Sequence, residues 1–275
     1  MKRDRLEKRG YVLDALLSPG PTTFVALAHR PGGGQCVVKM AAMERAMPAL
    51  QNEEAALRAL AAAGVAGVPR ILDAWSDGFA IARLDLPTLR AHGDSLERSS
   101  ELRDATARRA FERLAAVHGA KDPLGIPLAF VHGDVSPDNV YVASDGSRAA
   151  LADFGLARWR GGARDGAHGG AFCGTLLYAA PEVVRGEPFD GRADDFALAA
   201  SLLHAATGTP LRDPGGGEAA MLVDAGSRPF DALHPWRTLA RELFNLTVGD
   251  ALLACLAFDA RDRPRDSEAV LSVWG

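Results

Sequence analysis

Three polar residues near the middle of the chain have types and spacings suited to phosphoryl transfer. Asp134 follows a His-Gly pair, Asn139 lies five residues later, and Asp153 opens an Asp-Phe-Gly triplet. Between Asn139 and Asp153, two apolar runs separated by a Ser-Asp-Gly-Ser segment predict a β-hairpin that brings the three side chains to one side. One carboxylate can orient an attacking hydroxyl, and a carboxylate with an amide oxygen can hold Mg²⁺ on nucleotide phosphates.

Taken singly, these residue types are more often plain turn formers. The joint pattern is much rarer, and it resembles the signature of the eukaryotic-like Ser/Thr protein kinase family. The resemblance implies that Asp134 is the catalytic aspartate and that Asn139 and Asp153 bind the metal. It also implies that His132 is a packing residue behind Phe154. The implied cofactors are ATP and Mg²⁺, with Mn²⁺ as an alternative ion, and the implied substrate is a protein serine or threonine.

The same resemblance gives the fold class. It covers residues 11 to 274 approximately and implies one kinase domain with an α+β, bilobal fold: a small β-rich N-lobe over residues 1–82 and a mainly helical C-lobe over residues 83–275. The apolar pattern predicts strands at 11–17, 24–28, 35–40, 71–75 and 79–84. It predicts helices at 44–63, 101–119, 194–207, 235–244, 248–257 and 266–274, with loops at 119–131 and 211–217.

Composition limits the class of protein. The 275 residues are 48% hydrophobic and 24% charged, with a net charge of −4 that gives no hint of nucleic-acid binding. Three cysteines without metal-ligand spacing suit a reducing setting. The charged N-terminus lacks the apolar region of a signal peptide, and no apolar run is long enough to span a membrane. We therefore expect a cytoplasmic protein, and the Ala, Arg and Gly bias is typical of a GC-rich bacterial genome.

Residues 18–23 stand where the family has its glycine-rich phosphate loop. Counting back from Val25, only Gly20 is retained, and two flanking prolines leave fewer N–H groups for phosphates. An ordinary hairpin turn and a phosphate cradle explain this segment equally well. The resemblance assigns Gly20 and Val25 to the nucleotide site.

A lysine and a helix glutamate complete the expected nucleotide site. Val37-Val38-Lys39 resembles the family's Ala-x-Lys strand, which implies that Lys39 contacts phosphates and pairs with a glutamate. Glu53 shares a helix face with the following leucines and is the expected partner, while Glu54 is the alternative one residue away. Lys39 is accordingly assigned to both catalysis and nucleotide binding, and Val37 to the nucleotide site.

The hinge is expected at residues 82–86. By resemblance, its backbone contacts the adenine, so Ala82 and Leu84 are assigned to the nucleotide site. The small side chain of Ala82 is expected to leave room behind the base.

Two residues of the catalytic loop depart from the family pattern. Gly133 replaces the arginine before the catalytic aspartate, and Ser136 replaces the lysine that helps to neutralise the transferred group. Ser136 is still assigned to the catalytic loop. Residues 156–174 contain no serine, threonine or tyrosine, and the arginine lost at Gly133 belongs to the cluster that captures a phosphate there. We therefore predict activity without activation-loop phosphorylation.

Four further residues are expected to build the C-lobe. The segment from Gly174 to Glu182 resembles the Ser/Thr form that ends in Ala-Pro-Glu, which implies a hydrogen bond between Thr175 and Asp134. By resemblance, Glu182 pairs with Arg263, and Asp194 holds the backbone of the catalytic loop.

Three functions remain open. The first is an active Ser/Thr protein kinase, supported by most of the motifs. The second is a small-molecule kinase of the aminoglycoside or choline type, which also uses a His-Gly-Asp loop. The Gly174–Glu182 segment and Arg263 argue against it, because by resemblance they build a platform for a protein substrate. The third is a pseudokinase scaffold, favoured by the altered glycine loop and the missing lysine. The protein substrate and the oligomeric state are not specified by the sequence.

Overall fold

The computed structural model describes residues 2–18, 22–96, 99–164, 173–212, 214–227 and 235–275. Over these residues a five-stranded antiparallel sheet with one long helix precedes a part built mainly of helices around a two-stranded sheet. This arrangement confirms the predicted α+β fold with a β-rich first lobe and a helical second lobe.

The first lobe is an antiparallel sheet in the order β1-β2-β3-β5-β4. Its strands are β1 (Val12–Ser18), β2 (Thr23–His29), β3 (Gln35–Ala41), β4 (Ile71–Trp75) and β5 (Gly78–Ala82). Helix α1 (Lys2–Glu7) precedes the sheet, and a 3₁₀ turn (Glu44–Ala46) leads into α2 (Met47–Ala62). All of the strands in this lobe fall within a few residues of the predicted ranges.

The alternation of side chains along β3 divides the first lobe into two apolar layers. Cys36, Val38 and Met40 pack with Leu6 of α1 and with Tyr11 on one side. On the other side the sheet meets α2, whose buried leucines pack with Phe79 and Ile81 of β5. Lys39 lies on this second side, so the strand pattern alone aims its side chain towards α2.

The second lobe is built around a central helix. Its helices are α3 (Leu89–Leu96), α4 (Ser100–His118), α5 (Pro181–Val184), α6 (Gly191–Thr207), α7 (Gly217–Ser227), α8 (Trp236–Leu243), α9 (Leu246–Cys255) and α10 (Ser267–Leu271). Short 3₁₀ turns span Pro214–Gly216, Ala260–Asp262 and Ser272–Trp274. The hairpin is formed by β6 (Val140–Val142) and β7 (Ala149–Leu151).

Helix α6 is the core of this lobe because residues on all of its faces are buried, including Asp194 and Asp195. The Asp190 carboxylate caps its start by accepting the N–H of Arg192, and Gly208 ends it with a positive φ of 66°. Four helices, α1, α3, α5 and α7, were not predicted from the sequence. Within the part of the chain that the structure describes, no helix combines the length and the apolar composition needed to cross a membrane.

Candidate active site

A cavity of about 580 Å³ lies between the sheet of the first lobe and the β6–β7 hairpin. Eight of the residues assigned to the site from the sequence line it: Val25, Val37, Lys39, Glu53, Ala82, Leu84, Asn139 and Asp153. Asp134 and Thr175 line a second, smaller pocket, and Asp134 accepts a hydrogen bond from the cavity residue Asn139 at 3.4 Å. Gly20, also assigned to the site, lies outside the described residues.

Lys39 and Glu53 form a buried ion pair at the back of the cavity. The Lys39 ammonium lies 2.7 and 2.9 Å from the two carboxylate oxygens of Glu53. The alternative partner, Glu54, pairs instead with Arg58 on the same helix at 3.0 Å. Burial by itself lowers the pKa of Lys39, but Glu53 and Asp153 raise it above its ordinary value, so this cation stays charged.

The β6–β7 hairpin places Asn139 and Asp153 side by side. The strands pair Val140 with Leu151 and Val142 with Ala149, and the N–H of Ala152 donates to the Asn139 carbonyl at 2.9 Å. These bonds hold the two strands together at the end of the hairpin opposite its turn. Asn139 and Asp153, which are fourteen residues apart in the chain, therefore lie close to each other. The β-hairpin that the two apolar runs around a turn predicted is therefore present.

Asp153 lies in an unusual backbone conformation beside Lys39. Its φ is 65°, a left-handed value that non-glycine residues rarely adopt. Its carboxylate lies 3.6 Å from the Lys39 ammonium, and its side chain is 49% exposed, so it faces the cavity. Burial alone raises the pKa of Asp153, but Lys39 lowers it below its ordinary value, so the carboxylate is ionised at neutral pH.

The donor set at this point fits a magnesium ion that shares its coordination with phosphates. The Asn139 amide nitrogen donates to the Asp134 carbonyl at 2.9 Å, which leaves the amide oxygen as a metal donor. With Asp153 this gives two oxygen donors from the protein. No cluster of three or more His, Cys, Asp or Glu residues able to hold a metal occurs in the described ranges. Mg²⁺ commonly takes one or two protein ligands and obtains the others from phosphates and water.

The Asp134 carboxylate is held by the backbone of Thr175. The N–H of Thr175 donates to Asp134 Oδ1 at 2.8 Å. The expected contact between these residues is therefore present, but the Thr175 backbone makes this bond and not its hydroxyl. Gly174 precedes it with a φ of 117°, and a Cβ there would lie 3.2 Å from the same carboxylate oxygen, so glycine permits the close approach.

The catalytic-loop backbone is anchored on α6. Asp194 accepts the N–H of His132 at 2.7 Å and that of Gly133 at 2.9 Å. It also contacts His118 Nε2 at 2.9 Å. The buried His132 ring lies 4.5 Å from the Phe154 ring, between centroids. These contacts place Asp194 and His132 where a scaffold and a packing residue are expected.

The two departures in the catalytic loop differ in structural consequence. Gly133 has a φ of 80°, and a Cβ at this position would lie 2.7 Å from the Leu156 carbonyl oxygen. This backbone conformation therefore leaves no room for an arginine. Ser136 is only 2% exposed and does not line the cavity; its carbonyl accepts the N–H groups of Asn139 at 3.0 Å and Val140 at 3.1 Å.

Ile81 and Ala82 of β5 both line the cavity. Ile81 pairs with Val37 across the strands and lines the cavity, whereas Ala82 pairs with Cys36, whose side chain belongs to the opposite layer. Ala82 is nevertheless among the lining residues, and the expectation that its small side chain leaves room behind an adenine stays a prediction. A further residue not singled out from the sequence is Tyr141, whose ring is the only aromatic group among the described lining residues.

Comparison with known proteins gives one family. The family model described as "Protein kinase domain" matches residues 94–274. The chain is 30% identical over 218 residues to the serine/threonine-protein kinase PknJ of Mycobacterium tuberculosis, covering 78% of this chain and 36% of that protein. It is 32% identical over 192 residues to the CBL-interacting protein kinase 4 of Oryza sativa subsp. japonica, covering 67% and 41%.

A shorter match has higher identity. Over 83 residues the chain is 43% identical to the serine/threonine-protein kinase PknF of Mycobacterium tuberculosis, covering 29% of this chain and 17% of that protein. The chain thus spans less than half the length of each of these three relatives.

Proposed function

The chain belongs to the protein kinase family, and from this premise we propose that it is a Ser/Thr protein kinase that uses ATP and Mg²⁺. The observation that carries the proposal is the convergence of the Lys39–Glu53 pair with Asn139 and Asp153 on one cavity. Asp134 is held next to Asn139 by hydrogen bonds from the Asn139 amide and the Thr175 N–H. A catalytically idle scaffold has no need to keep all five groups in place.

In this proposal the nucleobase lies between the first-lobe strands and the hairpin. Val25 and Leu17 of the sheet line one wall, Tyr141 of β6 lines another, and Ile81 closes the back. The backbone of residues 82–86 supplies hydrogen-bonding groups for the adenine edge. Lys39, oriented by Glu53, binds the phosphates. The N–H groups of residues 18–23 contribute little because only one glycine is present.

The metal, when bound, neutralises phosphate charge and fixes the geometry of the reacting group. The Asn139 oxygen and the Asp153 carboxylate are the residues that would hold it. Their positions follow from the hairpin, and the adjacent Lys39 supplies a third interaction for the Asp153 side chain.

Asp134 orients the attacking group. A substrate Ser or Thr hydroxyl donates to the Asp134 carboxylate while its oxygen forms a bond to the γ-phosphorus. The bond from that phosphorus to the β–γ bridging oxygen breaks, ADP leaves, and the hydroxyl proton passes to the carboxylate. The Thr175 N–H and the Asn139 amide hold Asp134 during this step. With serine at 136, Lys39 and the metal would carry the charge stabilisation.

The pseudokinase scaffold is the second candidate. It is favoured by Ser136 in place of the loop lysine and by the single glycine in residues 18–23. The ionised Asp153 beside a buried Lys39–Glu53 pair argues against it, since these costly buried charges serve no purpose in a site that binds no nucleotide. The Glu182–Arg263 pair argues against the small-molecule kinase. By resemblance, Arg263 and the segment from Gly174 to Glu182 build a platform for a protein substrate.

The test is a transfer assay with γ-labelled ATP and either Mg²⁺ or Mn²⁺. Basic and acidic generic proteins, choline and an aminoglycoside are offered as acceptors. Label on protein Ser or Thr supports the proposal, and label on the small molecules alone supports the small-molecule class. Nucleotide binding by thermal shift without transfer to any acceptor supports the scaffold.

A further inference from the structure

Helix α2 carries a second buried polar side chain directly before Glu53. Asn52 is 3% exposed, and its amide nitrogen lies near three backbone carbonyls of another segment. It is 3.4 Å from the Phe154 oxygen, 3.1 Å from that of Gly155 and 2.9 Å from that of Ala157. These acceptors begin one residue after Asp153, so the amide joins α2 to the start of the segment 154–174.

The orientation of this amide is set by chemistry. Three carbonyl oxygens surround one end of the side chain, and only the NH₂ group can donate to them. The other end, the Asn52 oxygen, is buried and has no hydrogen-bond partner among the described residues. The side chain is thus held through its nitrogen alone, which is a costly arrangement unless the tether itself is useful.

We propose that Asn52 is a positioning residue that holds α2 against the Asp-Phe-Gly segment and so keeps Glu53 on Lys39. Because Asn52 and Glu53 are adjacent on a rigid helix, an outward shift of α2 breaks both sets of contacts. Asp153 lies 3.6 Å from the Lys39 ammonium, so the tether fixes three groups of the site through one side chain. This inference rests on the proposed kinase function and adds to it the means by which the site is kept assembled.

The tether also explains how a kinase site stays assembled without a phosphate. Residues 156–174 contain no hydroxyl-bearing side chain to phosphorylate, and Gly133 cannot bind a phosphate as an arginine does. The contact of the Asn52 amide with the backbone needs neither a phosphate in this segment nor an arginine to bind it. The chemical expectation is a site that is assembled when the chain folds and that has no phosphorylation switch in this segment.

The most direct variant is Asn52→Asp, which keeps the shape of the side chain and replaces the donor with an acceptor facing three carbonyls. Gln51→Glu makes the same amide-to-acid change one residue away on the exposed face of α2. Asn52→Ala removes the amide without adding a charge and serves if Asn52→Asp does not fold. We expect Asn52→Asp to lower kcat about tenfold or more, equivalent to about 1.4 kcal/mol in activation free energy, while Gln51→Glu has the wild-type value.

A double-variant cycle separates positioning from general destabilisation. If Asn52 acts through Glu53, Asn52→Asp has little further effect on kcat in a Glu53→Gln background. An equal loss of kcat in both backgrounds, or equal kinetics for Asn52→Asp and Gln51→Glu, overturns the proposal.

A readout that needs no catalysis keeps this inference separate from the proposed function. The pair with Glu53 shields Lys39, so we expect acetylation of Lys39 by acetic anhydride, read by mass spectrometry, to be faster in Asn52→Asp than in Gln51→Glu. If the wild type transfers no phosphate but this difference is present, the kinase proposal fails and the tether stands. Equal labelling of the two variants contradicts the tether whatever the activity.

Discussion

Glu182 and Arg263 form a buried, two-pronged ion pair between residues 81 positions apart, with N–O distances of 2.6 and 2.8 Å. The Arg263 side chain is fully buried and also contacts the Ala257 carbonyl at 2.8 Å. The pair fixes the end of the segment that begins at Asp153 onto the C-terminal part of the lobe. Because both side chains are buried within the second lobe, we expect the pair to act on stability.

We predict that Arg263→Ala lowers the free energy of unfolding by about 3–5 kcal/mol, because it leaves the Glu182 carboxylate buried without its partner. Urea unfolding measures this change. Arg261→Ala is the matched control, since Arg261 pairs with Asp259 at 2.6 Å but its side chain is 85% exposed, and it is expected to cost under about 1 kcal/mol. Equal losses for the two variants would contradict this assignment.

Gly133→Ala is predicted to destabilise the protein and to reduce activity. The positive φ of 80° costs about 1–3 kcal/mol for a non-glycine residue, and the added Cβ must move away from the Leu156 carbonyl. Gly125→Ala separates the two effects, because Gly125 has a φ of 79° with nothing within 4 Å of the added carbon. We expect a larger loss of stability at 133 than at 125, with a fall in kcat at 133 alone. Equal melting temperatures would show that the contact with Leu156 is unimportant.

Tyr141→Ala is predicted to weaken ATP binding by about 1–3 kcal/mol, the range for loss of an aromatic ring that stacks on a base. Tyr141→Phe keeps the ring and should bind ATP with nearly wild-type affinity. Isothermal titration with a non-hydrolysable ATP analogue and Mg²⁺ gives both dissociation constants. Unchanged affinity in Tyr141→Ala would remove the ring from the nucleotide site.

Stability is predicted to depend on pH through His118. Burial alone lowers the pKa of His118, but hydrogen bonding to Asp194 raises it above its ordinary value of 6.5. The folded protein therefore binds this proton more tightly than the unfolded chain does. The resulting stabilisation is complete below about pH 6.5 and is lost as the pH rises through the folded-state pKa.

The His118→Gln variant should show a smaller decline in unfolding free energy above pH 6.5 than the wild type. Urea unfolding at intervals between about pH 6 and pH 9 measures the slope. Identical slopes in His118→Gln and wild type would contradict the prediction.

The parts of the candidate site whose relative placement the sequence predicts are those that lie close together along the chain. Asp134, Asn139 and Asp153 are separated by one hairpin, and the turn and strand pattern determines where the hairpin puts them. Only the structure shows that Lys39 pairs with Glu53 and not with Glu54, because the helix register cannot be read to a single residue from the apolar pattern.

The missed features depend on contacts distant in sequence or on weak patterns. Asn52 looks like an ordinary polar helix residue, and nothing in the sequence shows the three carbonyls that it meets some 100 residues later. Helix α7 buries only Ala225, so it has no apolar stripe to detect. Ile81 was not singled out from the sequence because the phase of the alternation along β5 is fixed by its pairing with β3.

The most direct test of the kinase proposal is phosphoamino-acid analysis of a generic protein substrate after incubation with γ-labelled ATP and Mg²⁺. Wild-type protein should label serine and threonine, Asp134→Asn should not, and Asp138→Asn should behave as wild type. Asp138 is a suitable control because its 55% exposed side chain pairs with Arg90 at 2.6 Å, four residues from Asp134. Label that is equal in Asp134→Asn and wild type, or absent from wild type while ATP still raises its melting temperature, would contradict phosphoryl transfer by this site.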